Sequence, residues 1–267
     1  MSAEKLKDKI KKSWDSFICY PKGSKFDHLK VGEKDFFVAM REDRYLGFPY
    51  ILKVLNMFDF REKKVLEVGC GIGNDLLEIA RRGGIVTGID LSPSSLALAK
   101  KNFQLFKYKG FFKTDDAENL SFKPKSFDFV YSMGVLHHTP DTAKTIKELY
   151  RVLMPGGQAV VMLYHKNFFT YWIKLFLLRG ILQGQLLEKS FEEIRNNLEY
   201  DGCYLTKLFS GKEATKMFSD AGFRQIKTEV FYMHKKSVPL IGRVLPQPFL
   251  DVLAKRFGFH LVIYAQK

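Results

Sequence analysis

The chain has 267 residues, enough for one α/β domain with a sizeable appendage, and we expect that arrangement in preference to two small domains. Its formal net charge is +14, but residues 65–164 carry only 12 basic and 10 acidic side chains, so the excess lies outside this central segment. Nucleic acid, an anionic membrane surface or an acidic substrate would each account for the charge, and so would solubility alone.

Cysteine usage and hydropathy indicate the compartment. The three cysteines, Cys19, Cys70 and Cys203, show neither metal-ligand nor disulfide spacing, which favours reduced thiols and no metal site. The Lys-rich N-terminus lacks the apolar core of a signal peptide, and no run of about 18 apolar residues exists. We therefore expect a soluble, cytoplasmic protein.

Helical periodicity precedes the first predicted strand. Residues 4–18 alternate Lys with apolar side chains, as a basic amphipathic helix does. Residues 34–57 resume the helical pattern, with an interruption at 47–49. The first 60 residues are thus predicted to be mainly helical.

Strands and helices alternate from Val65 onward. Strands are predicted at 65–68, 85–89, 111–114, 127–132, 158–164, 223–233 and 259–265. Helices are predicted at 74–82, 93–106, 142–153, 210–221 and 249–257. Repeated βαβ units of this length indicate a parallel sheet with helices on both faces.

Three glycines follow the first strand at alternate positions: Gly69, Gly71 and Gly73. Because they lack Cβ atoms, the backbone can turn sharply into the next helix and a ligand can lie against it. A dinucleotide-binding fold would place its third glycine at position 74, which here is Asn. Asp90 ends the second strand, at the edge of the sheet where ligands bind in such folds.

The pattern Glu67-x-Gly69-x-Gly71-x-Gly73, followed by Asp90, resembles the first two motifs of the class I S-adenosylmethionine-dependent methyltransferases. Two later segments match motifs of the small-molecule group that includes the ubiquinone and menaquinone biosynthetic enzymes: residues 127–138 and 148–157. The resemblance covers about residues 60–165. It implies a Rossmann-like, doubly wound sheet of seven strands, mostly parallel with the last strand antiparallel.

The resemblance also implies a domain organisation. Enzymes of this class commonly close a helical segment over the cofactor, so residues 1–60 are interpreted as an N-terminal lid. Residues 61–267 form the methyltransferase domain, and residues 166–209 form a helical insertion on its substrate side.

Acids at strand ends are the main cofactor candidates. Asp90 lies 17 residues beyond Gly73, a distance at which its two oxygens can accept both ribose hydroxyls. Asp116 resembles the acid that accepts the adenine amino group, with the Ala117 amide facing the ring. Its neighbour Asp115 is an equally placed alternative, because loops after the third strand vary by a residue.

Other cofactor candidates lie on the same loops. Leu91 and Met133 are apolar and placed to enclose the adenine, although core packing explains either residue alone equally well. The remaining candidates are Glu67, Gly69, Cys70, Gly71, Gly73, Ser132 and His138.

Methyl transfer from a sulfonium is an in-line displacement, so the protein mainly holds the reacting atoms collinear in a dry site. A general base is needed only for an acceptor that carries a removable proton, such as a phenol. The candidates are His165, His137 and Tyr164. His165 is preferred because it follows the fifth strand, although a histidine at such a place is more often structural.

Residues 168–187 begin the insertion and are rich in aromatic side chains, which suits either the wall of an apolar acceptor pocket or an interface. We expect methyl transfer from S-adenosylmethionine to a small, hydrophobic or aromatic acceptor. A nucleic-acid methyltransferase, supported by charge alone, and an NAD-dependent oxidoreductase are the alternatives. We expect no specific nucleic acid as a partner; transient contact with a membrane surface and a dimer both remain open.

Overall fold

The computed structural model describes residues 3–16, 25–167, 169–196, 204–233 and 246–267. Its centre is a seven-stranded sheet with strands β1 (Lys64–Val68), β2 (Ile85–Asp90), β3 (Phe111–Thr114), β4 (Phe127–Met133), β5 (Leu153–Tyr164), β6 (Arg224–Phe231) and β7 (His260–Gln266). The strand order is β3-β2-β1-β4-β5-β7-β6, with only β7 antiparallel to its neighbours. This confirms the predicted Rossmann-like sheet.

The strand order determines where a ligand fits. The chain moves outward from β1 to β3 and then returns to β4 on the other side of β1. The loops that leave β1 and β4 therefore diverge, and an open crevice forms at the carboxyl ends of these strands. Because β7 runs antiparallel, its first residue, His260, pairs with Tyr164 at the same edge of the sheet.

Helices cover both faces of the sheet: α1 (Ala3–Ser16), α2 (Lys34–Gly47), α3 (Tyr50–Leu55), α4 (Asn74–Arg81), α5 (Pro93–Leu105), α6 (Thr142–Val152), α7 (Phe191–Asn196), α8 (Gly211–Asp220) and α9 (Gln247–Phe257). A short 3-10 helix spans Leu136–His138, a π-helix spans Phe169–Leu182, and a second 3-10 turn spans Gln185–Leu187. Several starts follow sequence signals. The Ser92 hydroxyl caps α5 ahead of Pro93, and Ser210 forms a capping box with Glu213 at α8.

The central strands are buried on both faces, as their apolar runs predict. Val65 packs into one hydrophobic cluster with α3 and α4, whereas Leu66 packs into a second cluster with α6 and α8. This alternation follows from the two-residue period of a strand. The sheet is thereby held rigidly beneath the crevice.

Some boundaries differ from the predictions. β5 begins at Leu153, five residues before the predicted Gln158, because a register irregularity in β4 lets Phe127 pair with Leu153. The aromatic-rich segment forms a π-helix that ends at Leu182. Cys19 and Cys203 lie outside the described residues, and Cys70 is a buried free thiol. Among the helices described, none combines the length and the apolar character needed to cross a membrane.

Candidate active site

A cavity of about 640 Å³ lies at the carboxyl edge of the sheet. Its wall contains twelve of the sequence-predicted site residues: Glu67, Gly69, Cys70, Gly71, Asp90, Leu91, Asp115, Asp116, Ala117, Met133, His138 and Tyr164. Four other predicted residues do not line it: Gly73, Ser132, His137 and His165. The structure thus brings the loops after β1 to β5 around one space.

The glycine loop leaves room for a ligand. Gly71 has a φ of +52°, and a Cβ built on it would meet no atom within 4 Å. A Cβ on Gly69, in contrast, would lie 2.2 Å from a Val135 methyl group, so this glycine is required by close packing. Gly71 therefore presents bare backbone to the cavity, as an approach by the cofactor requires.

Asp90 is held by backbone donors beside this loop. One carboxylate oxygen accepts the Gly71 N–H at 2.9 Å, and the other accepts the Ser92 N–H at 2.9 Å. Burial raises the pKa of Asp90, although these backbone hydrogen bonds oppose the shift. Each oxygen retains a lone pair for a further donor, so the carboxylate can still accept two ribose hydroxyls.

The two candidate acids after β3 differ in their partners. The Asp115 carboxylate accepts both the backbone N–H and the hydroxyl of Ser121, at 3.1 and 2.7 Å. The Asp116 carboxylate forms an ion pair of 2.6 Å with Lys7 of α1, which also contacts Glu118 at 2.6 Å. Asp116 is thus the acid that is bonded to the N-terminal helix. Which of the two acids binds the adenine remains a prediction.

Helix α1 covers this end of the cavity. The side chains of Lys7, Ile10 and Trp14 line the space, and the Trp14 ring meets the edge of His138 with centroids 5.2 Å apart. The Asp15 carboxylate accepts hydrogen bonds from the hydroxyls of Ser92 and Ser94, at 2.8 and 2.7 Å. These contacts attach α1 to the start of α5 and to the loop after β3.

An ion pair within a hydrogen-bond network joins α2 to α4 at the cavity wall. Asp75 is almost fully buried and accepts two hydrogen bonds from the Arg44 guanidinium, at 2.7 and 2.6 Å. The hydroxyls of Tyr45 and Tyr131 donate to the same carboxylate at 3.1 and 3.0 Å. Four donors therefore satisfy Asp75.

Glu67 lies next to this network. It is buried, and its Oε2 atom has no hydrogen-bond partner among the described residues. Burial first, and the nearby Asp75 second, raise the pKa of Glu67 well above its ordinary value. The unpartnered oxygen is itself buried, and the residue lines the cavity. A carboxyl group in this position suits a cationic donor, and the ammonium group of S-adenosylmethionine is such a donor.

The structure corrects the expected position of His165. Tyr164 faces the cavity, and because side chains alternate along a strand, the next residue points away from it. The His165 Nδ1 atom is 2.9 Å from the Gly258 carbonyl oxygen, and burial lowers the pKa of the ring. His137 is also outside the cavity; it is fully buried, and neither ring nitrogen has a hydrogen-bond partner within the part of the chain that the structure describes. Of the three proposed bases, only Tyr164 lines the cavity.

Sequence reasoning missed His260. This residue lines the cavity, and its Nδ1 atom lies 2.8 Å from the Tyr50 hydroxyl. The predicted site residues lie at or after the carboxyl ends of strands, whereas an antiparallel last strand places its first residue at the ligand edge. The expected antiparallel direction of that strand was the signal that could have found it.

Acidification is expected to destabilise the protein through His137 and His260. Burial lowers the pKa of His137 well below 6.5 and that of His260 to about 3. Below pH 6.5 the unfolded chain binds protons on these rings and the folded chain does not, so stability present above pH 6.5 is lost as the pH falls towards 3. Each ring should contribute about 1.4 kcal/mol per pH unit in this window.

Urea unfolding at pH 7.5, 6.5 and 5.5 measures this effect. His260→Gln should show a smaller loss of unfolding free energy between pH 6.5 and 5.5 than the parent protein. Equal losses in the two proteins would show that His260 titrates normally in the folded state.

Comparisons with known proteins agree with this geometry. Residues 66–161 match the family model described as a methyltransferase domain. Phosphoethanolamine N-methyltransferase 2 of Caenorhabditis elegans is 34% identical over 126 residues, which are 46% of this chain and 29% of the relative. Ubiquinone biosynthesis O-methyltransferase of Coxiella burnetii is 34% identical over 124 residues, or 46% of this chain and 53% of the relative. The matched region thus spans about half or less of these curated relatives.

The fold is shared with solved methyltransferases. Phosphoethanolamine N-methyltransferase 2 of Haemonchus contortus, in complex with S-adenosyl-L-methionine, superposes with a TM-score of 0.60 at 20% identity, over 93% of this chain and 61% of the other. A possible histamine N-methyltransferase from Thermotoga maritima gives a TM-score of 0.54 at 22% identity, over 86% of this chain and 96% of the other. Since the family match and the glycine motif both fall on the first five strands of this sheet, residues 66–161 form a methyltransferase domain of the class I, S-adenosylmethionine-dependent type.

Proposed function

We propose that this protein transfers the methyl group of S-adenosylmethionine to a small, uncharged, hydrophobic or aromatic acceptor. The observation that carries the proposal is the continuity of the cavity. The same space runs from Gly71 and Asp90 to an apolar wall that contains Phe48, Met162 and Tyr164. A cofactor and a small apolar acceptor can therefore meet inside it.

The cofactor supplies an activated methyl group, and the protein supplies position. Asp90 and the Gly71 backbone would hold the ribose and the amino-acid part of the cofactor, and Glu67 would face its ammonium group. In an in-line displacement, the bond between sulfur and methyl breaks as the bond to the acceptor forms. Apolar walls such as Met133 and Tyr164 exclude water from that line.

The charges in the cavity argue against an anionic acceptor. Three cationic side chains line it, and each is bonded to a carboxylate: Lys7 to Asp116, Lys25 to Asp43 and Arg44 to Asp75. Among the described lining residues, no cation is therefore left for a phosphate or carboxylate group of an acceptor. The phosphoethanolamine named for two of the similar proteins would lack an anion site here.

The same charges lower the support for a nucleic-acid methyltransferase. Seven acidic side chains line the cavity against three basic ones: Asp43, Glu67, Asp75, Asp90, Asp115, Asp116 and Glu118. A polyanion would be repelled from such a wall, because nucleic-acid binding depends on clustered cations. The other alternative, an NAD-dependent oxidoreductase, is replaced by the methyltransferase assignment.

The lid stays a proposal, and the structure supports it for the N-terminal helices. Side chains of α1, α2 and α3 line the cavity, whereas none of the described side chains of the insertion, residues 166–209, does so. Leu175 and Ile194 of the insertion are buried in the core, and Trp172 is 51% exposed. We therefore assign the cover of the cavity to residues 1–60 and not to the insertion.

Membrane contact also stays a proposal. Several apolar side chains of the π-helix and the turn after it are exposed: Trp172, Phe176, Leu177, Ile181, Leu182, Leu186 and Leu187. The charged residues within this segment are the cations Lys174 and Arg179, which suits an anionic bilayer surface. Sedimentation with vesicles that contain phosphatidylglycerol would test the contact, and equal recovery with and without vesicles would refute it.

An assay with methyl-labelled S-adenosylmethionine tests the proposed function. The acceptors are a panel of neutral phenols and quinols, phosphoethanolamine, and total RNA. We expect label on a neutral aromatic acceptor and none on the two anionic ones. Gly71→Val is the matched inactive control, since its side chain would enter the open space beside the loop. Transfer only to phosphoethanolamine or RNA would refute the acceptor class.

A further inference from the structure

His260 lies in an aromatic box, defined here as Phe48, Tyr50, Tyr164 and Tyr232. The Tyr232 ring stacks on the imidazole with centroids 4.7 Å apart and an interplanar angle of 18°. The rings of Phe48 and Tyr164 lie at 5.1 and 6.0 Å, and the Tyr50 ring at 5.7 Å. The box therefore fixes the imidazole plane at the cavity wall.

Tyr50 is held through both its ring and its hydroxyl group. Its ring stacks on Phe231 with centroids 4.8 Å apart and an interplanar angle of 9°, and its hydroxyl bonds to His260 Nδ1 at 2.8 Å. His260 is 5% exposed, and the described residues provide no hydrogen-bond partner for its Nε2 atom. Since His260 lines the cavity, Nε2 is the ring atom that a ligand can reach.

The imidazole is uncharged at neutral pH. Burial, and then the nearby Arg44, lower the pKa of His260 to about 3. A neutral imidazole gives Nε2 one hydrogen-bonding role, set by the tautomer. If Tyr50 donates to Nδ1, then Nε2 carries the hydrogen and donates; if Nδ1 donates to Tyr50, then Nε2 accepts.

A hydroxyl group suits both tautomers, because it donates and accepts. A carbonyl group only accepts, and an ammonium group only donates. We propose that His260 and Tyr50 form a polar anchor that binds the hydroxyl of a neutral, hydroxylated aromatic acceptor in the cavity beside the aromatic box. This inference rests on the proposed function and names the acceptor class of that same cavity.

The proposed role of the anchor is to recognise the acceptor, so the direct test is to measure acceptor binding. The probes are 2-naphthol and its matched analogue 2-methylnaphthalene, which neither donates nor accepts a hydrogen bond, titrated by fluorescence into protein saturated with S-adenosylhomocysteine. A neutral hydrogen bond contributes about 1 kcal/mol, so the parent protein should prefer the naphthol by roughly fivefold to tenfold. Tyr50→Phe and His260→Phe should each reduce this preference to within twofold, and His260→Gln should restore part of it.

Tyr150→Phe is the control, because Tyr150 packs against Phe223 and does not line the cavity. It should keep the preference of the parent protein. Near-ultraviolet circular dichroism checks that each variant is folded. The proposal is overturned if the parent protein shows no preference, or if the preference survives in folded Tyr50→Phe and His260→Phe proteins.

Transfer of labelled methyl to hydroxylated aromatics is measured in parallel. A naphthol preference that depends on both residues, without methyl transfer to any acceptor, would reject the proposed function and retain the binding site. Methyl transfer that is unaffected by both substitutions would retain the proposed function and reject the anchor.

Discussion

Asp75→Ala is expected to lower the free energy of unfolding by about 3–5 kcal/mol, the range for removing one partner of a buried ion pair. The substitution would leave the Arg44 guanidinium without its carboxylate and remove the acceptor of two tyrosine hydroxyls. Arg44 is itself about one-third exposed to the cavity, which favours the lower part of the range. Urea unfolding at pH 7.5 gives the value.

Asp59→Ala is the matched control for this stability prediction. The shortest hydrogen bonds that Asp59 accepts from Arg61 measure 2.9 and 2.6 Å and come from the guanidinium, as in the pair of Asp75 and Arg44, but both residues are exposed. Exposed pairs contribute little to stability, so this variant should unfold close to the parent protein. Equal destabilisation by the two substitutions would contradict the importance of the buried network.

Asp90→Ala is expected to weaken the binding of S-adenosylmethionine by about 1.5–3 kcal/mol, or roughly 10-fold to 150-fold. The reason is the loss of a charged acceptor for the ribose, together with the loss of the bond that orients the Gly71 N–H. Titration calorimetry with S-adenosylhomocysteine measures the effect in a protein whose fold has been verified.

Asp128→Ala is the control for this second prediction. Asp128 lies at the opposite end of the sheet, where its carboxylate accepts the Lys64 backbone N–H at 2.8 Å. Both variants lose an acid that binds backbone, but only Asp90 lines the cavity. Unchanged affinity in folded Asp90→Ala protein would remove this residue from the cofactor site.

The features that sequence predicted well depend on short stretches of chain. The glycine loop and Asp90 follow the ends of strands, and strand order alone brings them together. Their place at the cavity wall could be predicted because a parallel sheet puts all carboxyl ends at one edge. Their binding roles remain predictions that the experiments above address.

The features that sequence reasoning missed depend on distant contacts. Asp75 meets Arg44, which lies 31 residues earlier, and Tyr131, which lies 56 residues later. Tyr50 and His260 are separated by 210 residues. No local pattern encodes such pairs. His165 lies outside the cavity wall for a different reason: a shift of one residue along a strand turns the side chain to the other face.

Helix α1 bears on the kinetics of turnover. It covers the end of the cavity expected to hold adenosine, attached through Lys7 to Asp116 and through Asp15 to Ser92 and Ser94. We expect these contacts to block release of the spent cofactor along this side. Exchange of the cofactor would then require α1 to detach, and detachment would limit the turnover rate. Such an enzyme would bind its cofactor before its acceptor and release the methylated product before the spent cofactor.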